Sequence, residues 1–139
     1  MDRNRLLLDS SVLIAFLNQR DSQHKKAEAL YERIKGKNKQ LILHPLVAIE
    51  TLTVLKMRLD REALLFIENQ ILFNQEIFSY EDHAVLSIES NSESFILFNE
   101  KNDLSFIDCE LITYCLDKNI ELVTFDQALQ KLFRKRMGN

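Results

Sequence analysis

The sequence predicts an α/β protein, a three-layer α/β/α sandwich built on a short parallel sheet. Three observations lead there. Short apolar runs of strand length alternate with longer stretches of helical periodicity. The connections between the runs are longer than a hairpin turn, as parallel strands need. Acidic residues stand directly after two of the runs, at the strand ends where open sheets of this kind hold their ligands. The chain has 139 residues, 46% of them hydrophobic, which fits a single domain over 1–139 with apolar content ample for one core.

The first element is a buried strand over 5–8, ended by Asp9 and feeding straight into a helix over 10–18. Asp21 and Ser22 are helix-start residues for 25–35, where Ala27, Leu30, Tyr31 and Ile34 recur at helical spacing and Gly36 marks the end. A brief strand is expected over 41–43, and Pro45 opens a third helix that runs to about Leu59. Asp60 is placed to cap a fourth helix, with Leu64, Leu65, Ile67, Ile71 and Leu72 as its inward stripe. A short strand over 76–78 precedes a long helical stretch from Glu81 towards Asn99, whose polar middle at 90–94 is a natural break. The remaining expectations are a helix over 105–116, a strand over 121–124 and a final helix over 126–134.

Composition narrows the function classes. Eighteen Lys and Arg against 21 Asp and Glu give a formal charge of -3, so phosphate binding would need a local basic patch or a bound metal. The apolar start is interrupted by Asp9 and is followed by no small-residue cleavage signal, a poor secretion signal. No run approaches membrane-spanning length. Cys109 and Cys115 lie inside an apolar segment without a second pair or a nearby His, which reads as reduced core thiols. The expected location is cytoplasmic, and no membrane partner is expected.

Four carboxylates carry the chemistry: Asp9, Glu50, Asp108 and Asp126, each at the edge of or inside an apolar run. Three have a simple structural explanation. Asp9 and Asp126 stand at strand-to-helix junctions and can cap the helices that follow, and Ser105-x-x-Asp108 has the form of a capping box. Glu50 resists that explanation. It lies mid-helix, one turn from both Leu46 and Val54, and projects towards the core side. Asp108 likewise has Leu104 and Ile112 one turn to either side. No Lys or Arg occupies the inward faces near these acids, which disfavours buried ion pairs. A hard cation at the sheet's carboxyl edge is the remaining account. Mg2+ or Mn2+ suits an all-carboxylate set, whereas zinc or copper would call for His or Cys.

The segments around these acids, LLLDSSVLIAFLN, HPLVAIETL, LSFIDCELITYCL and ELVTFDQAL, resemble the four signature segments of PIN domains. They are most similar to the VapC-like toxin ribonucleases of prokaryotic toxin and antitoxin pairs, and the likeness spans nearly the whole chain. It implies a Mg2+- or Mn2+-dependent endoribonuclease that leaves a 5'-phosphate and a 3'-hydroxyl. It further implies Asp9, Glu50, Asp108 and Asp126 as the catalytic and metal-site acids, an RNA substrate, a cognate antitoxin and a homodimer. Ser11 and Thr124 match small polar positions that would orient water or phosphate, with local backbone capping as the alternative. Two departures stand out: Cys109 replaces a small alanine after the third acid, and Lys118-Asn119 replaces a glycine before the last strand. Asn tolerates the left-handed conformation a helix end needs.

Other features weigh less. The basic clusters are His24-Lys25-Lys26, then Lys35, Lys37 and Lys39, and finally Lys131, Arg134, Lys135 and Arg136. Each reads first as a solvated face, and the last has the best claim on RNA because its helix follows Asp126. His24 and His44 read as structural. Phe66, Phe73, Phe78, Phe95 and Phe98 read as core or packing surface rather than base-stacking platforms. A PIN-like RNA-binding or protein-interaction module without catalysis is the main rival, and intact acids argue against it. A phosphotransfer receiver would need a second acid beside the first, which Asp9-Ser10-Ser11 lacks. No glycine-rich loop supports a nucleotide-binding enzyme.

Overall fold

A computed structural model describes residues 1–80 and 92–138. Four parallel strands, β1 (Asp2–Leu8), β2 (Gln40–Ile42), β3 (Phe78–Ser79) and β4 (Ile120–Val123), form one sheet in the order β3-β2-β1-β4. Leu6, Leu7 and Leu8 are all buried, so β1 is covered on both faces, as a parallel sheet requires. β1 is longer than its apolar run because Asp2 pairs with Ile120 across an irregularity before Leu6. Such pairing is invisible to hydrophobic pattern.

Helices α1 (Ser10–Leu17), α2 (His24–Ile34), α3 (Pro45–Arg58) and α4 (Arg61–Ile67) form one group, with α1 against α2 and α3, and α3 against α4. Helices α5 (Ser92–Phe98), α6 (Phe106–Lys118) and α7 (Gln127–Met137) form the other, through α5 on α6 and α7 on α6 and β4. The strand order moves one way through β2 and β3 and then reverses to β4. Right-handed crossovers therefore put the two connecting groups on opposite faces of the sheet. The gap between the carboxyl ends of β1 and β4 is the topological switch point, the usual ligand position in such sheets.

Local signals act much as expected. Pro45 sits in the first turn of α3, Asp60 caps α4 through Ala63 N, Gly36 takes φ 72° and Asn119 takes φ 59°. Both cysteines are buried and free. Some expectations need correction. α2 starts after Gln23, two residues beyond Asp21, whose carboxylate instead accepts from Gln23 N. Past α4 the chain widens into a π-helical turn, Glu68–Leu72. Ile67 and Leu72 are buried there, but Leu65 is 42% exposed, since it lies about 100° round the helix from Leu64. Of the five singled-out phenylalanines only Phe78 joins the core, while Phe66, Phe73, Phe95 and Phe98 stay exposed. The helical expectation from Glu81 lies outside the described residues up to 91, and its last part forms α5.

Candidate active site

Asp9 follows β1 directly and is buried, 4% exposed. Its backbone amide donates to Val123 O at 2.9 Å, so the pairing of β1 with β4 continues one residue past the strand. One carboxylate oxygen accepts from Ser10 N at 2.8 Å. The other accepts from the Ser11 hydroxyl at 2.9 Å and the Thr124 hydroxyl at 2.7 Å. Each hydroxyl has a single proton, committed here to Asp9, so the 3.3 Å approach of Ser11 to Thr124 is not a third such bond. Their lone pairs are used as well: Ser11 accepts from Phe125 N at 3.0 Å and Thr124 from Asp126 N at 3.0 Å. Ser11 and Thr124 thus lock Asp9 to the loop that carries Asp126.

Asp126 caps α7, with one oxygen accepting from Ala128 N and Leu129 N at 2.9 and 3.1 Å. Asp108 and Ser105 form the capping box of α6: Asp108 N donates to the Ser105 hydroxyl at 3.1 Å and the Asp108 carboxylate accepts from Ser105 N at 3.2 Å. Glu50 projects from α3 and accepts a short hydrogen bond from the Ser10 hydroxyl. Three of the four acids therefore do cap helices. Capping does not use up a carboxylate, which has about four acceptor positions, and it sets each of these three acids at the positive end of a helix.

Electrostatics show which acids converge. Burial pushes the Asp108 carboxyl above the ordinary aspartate range, and the negative charges of Asp9 and Asp126 push it further, against the hydrogen bonds from Ser105. Asp9, Asp108 and Asp126 thus share one field, at the switch point between β1 and β4. The donors are all carboxylate oxygens, the chemistry that fits Mg2+ or Mn2+. Among the described residues no three His, Cys, Asp or Glu side chains stand close enough to ligate one ion as placed. The set is an acidic cluster rather than a closed coordination shell.

The terminal basic residues lie elsewhere on α7. Lys131 is in its second turn, while Arg134, Lys135 and Arg136 form its last turn, roughly 12–15 Å along the axis from Asp126 at 1.5 Å per residue. All four are exposed, and Arg136 is paired with Glu100. A nearer cation comes from α2: Lys26 Nζ lies 4.5 Å from the centre of the Phe125 ring, between Thr124 and Asp126 in sequence. In the sequence Lys26 stands only within a basic run. Glu110, a residue outside the four expected acids, is buried, 8% exposed, and faces His44. The available signal was an acid two residues after Asp108 inside an apolar stretch.

A family model described as PIN domain matches residues 6–135. Among solved structures, the chain is similar to Mycobacterium tuberculosis VapC20, described as a sarcin-ricin loop cleaving toxin. The TM-score is 0.72 at 20% identity, covering 91% of this chain and 94% of that one. At that identity the likeness establishes a shared fold. No curated protein matches the sequence. Among the described residues no helix is long and apolar enough to cross a membrane.

Proposed function

The chain belongs to the PIN domain family, and from that premise we propose that it is a Mg2+- or Mn2+-dependent endoribonuclease, the toxin of a toxin-antitoxin pair acting in the cytoplasm. The observation that carries this reading is the convergence of Asp9, Asp108 and Asp126 in one field at the switch point. Glu50 completes the set from α3. These four would hold the cation through their carboxylate oxygens. When bound, it would lower the pKa of a water molecule and offset charge on the phosphoryl oxygens.

The chain's own residues do the positioning. Ser11 and Thr124 orient the Asp9 carboxylate, and the caps on α6 and α7 fix Asp108 and Asp126. Water adds to phosphorus and the bond to the 3'-oxygen breaks, leaving a 5'-phosphate and a 3'-hydroxyl. Lys26 and the exposed Lys131, Arg134, Lys135 and Arg136 are the cations available to RNA phosphates. Exposed apolar residues of α3, α4 and the turn after it, Ile49, Met57, Phe66 and Phe73, are the surface offered to an antitoxin and to a second copy in a homodimer.

The test is cleavage of a structured RNA by purified protein in Mg2+, Mn2+ or chelator, comparing wild type with Asp9→Asn and Asp108→Asn. Metal-dependent cleavage lost in both variants is expected. Cleavage unchanged in both, or none with any metal, would overturn the proposal. RNA binding without cleavage would favour the non-catalytic module. For the toxin role, expression alone should arrest growth and co-expression of an adjacent small reading frame should relieve it.

A further inference from the structure

His44 is 3% exposed and is the residue just before α3. Its ring makes three contacts, and two of them are to a different helix. Nδ1 accepts from Leu46 N at 3.1 Å, capping α3. That bond leaves the neutral ring's proton on Nε2, and Nε2 faces Glu110 Oε1 of α6 at 3.7 Å. The ring also stands edge-on to Tyr114, one turn further along α6, with centroids 5.1 Å apart at 84°. Glu110 is fixed in turn, because the buried Ser94 of α5 donates to its other oxygen at 2.5 Å. One imidazole thus caps α3 and packs against α6, which belongs to the helix group on the other face of the sheet.

These two helices carry two of the four acids. Glu50 lies six residues after His44 on α3, and Asp108 lies two residues before Glu110 on α6. A carboxyl group in the core is a costly way to stabilise a helix contact, since apolar side chains of similar volume do as well. What it adds is a polar contact, at 3.7 Å longer than a hydrogen bond, that favours one approach of α6 to the ring. Mg2+ demands near-octahedral placement of its oxygen ligands and Mn2+ favours the same arrangement, so the spacing of α3 and α6 bears directly on whether Glu50 and Asp108 can serve one cation. We infer that His44 and Glu110 are positioning residues that set the separation of α3 and α6, and with it the divalent-cation affinity of the acidic cluster. This inference rests on the metal reading of the site given above.

The experiment is Mn2+ titration by calorimetry, with melting temperature measured in parallel, on wild type, His44→Asn, Glu110→Leu and the double variant. Asn keeps a cap acceptor for Leu46 N but falls short of Glu110, and it leaves the Glu110 charge in place, so any loss in that variant is not Coulombic. Leu keeps the volume of the Glu110 side chain and removes the pair from the other side. Each single variant is expected to bind Mn2+ about tenfold more weakly, the scale seen when groups that orient metal ligands are lost. The double variant should lose no more than Glu110→Leu alone, which adds the loss of a nearby negative charge to the shared positional effect. Unchanged affinity in a folded single variant, or fully additive losses, overturns the inference while leaving the metal reading standing. A wild type that binds no Mn2+ overturns both.

Discussion

The Thr124 hydroxyl donates to Asp9 Oδ2 at 2.7 Å, joining two residues 115 positions apart. It is buried, it bridges the ends of β1 and β4, and it accepts from Asp126 N on its other side. Asp9 and Asp126 are therefore oriented by one shared hydroxyl. Thr124→Val should cost about 1–2 kcal/mol of stability, because the Asp126 amide and the buried Asp9 carboxylate both lose a partner. RNA cleavage should fall about tenfold or more, with Thr124→Ser restoring most of it. Equal cleavage rates for Val and wild type would show that Asp9 needs no such support.

The raised proton affinity of Asp108 has a sign that melting curves can read. Its folded pKa lies above its unfolded value, through burial and then the charges of Asp9 and Asp126. The protonated form stabilises the fold fully below the unfolded pKa, and that contribution is lost as pH rises through the folded pKa. Asp108→Asn, which can still accept from Ser105 N, should melt a few degrees above wild type at pH 7 in chelator. The advantage should vanish at low pH. A variant less stable than wild type at pH 7 would mean that the cap needs the charge.

Thr51 is fully buried on α3, and its hydroxyl has no hydrogen-bond partner among the described residues. An unsatisfied buried hydroxyl is a net cost, so Thr51→Val should stabilise by about 1 kcal/mol. Denaturant midpoints at unchanged slope would measure this. A destabilised variant would point to a water bonded at that oxygen.

Neither thiol should behave as a reactive centre. Cys115 is completely buried and its pKa is pushed far up by that burial; Cys109 is raised by burial and by the nearby charges of Asp108 and Glu100. A thiol reagent should label no cysteine in the native protein and both in denaturant. Rapid labelling of one thiol under native conditions would contradict the burial.

Much of this architecture is legible residue by residue, since its signals are local. Pro45, the Ser105-x-x-Asp108 box and Asn119 each act within a turn or two. The apolar run at Leu6 to Leu8 is long enough to declare a buried strand by itself. The four acids could likewise be found from their positions against the apolar pattern, although position alone left capping and metal binding as competing explanations. The structure shows that Asp9, Asp108 and Asp126 cap helices and still share one field.

Most of the elements, their order and the positions of the four candidate acids can be read along the chain, because helix periodicity, caps and strand runs are encoded within a few residues. The remaining features arise from packing. Strand order puts β1 beside β4, which makes Ser11 and Thr124 partners of Asp9 rather than free hydroxyls. Packing across the sheet sets Lys26 over Phe125 and His44 against Glu110. These contacts join positions 2 to 115 residues apart, and even the short Ser11 to Asp9 link takes its meaning from Thr124 beside it. No local pattern encodes such a meeting, because it arises only when distant elements are packed and their polar groups must find partners away from water.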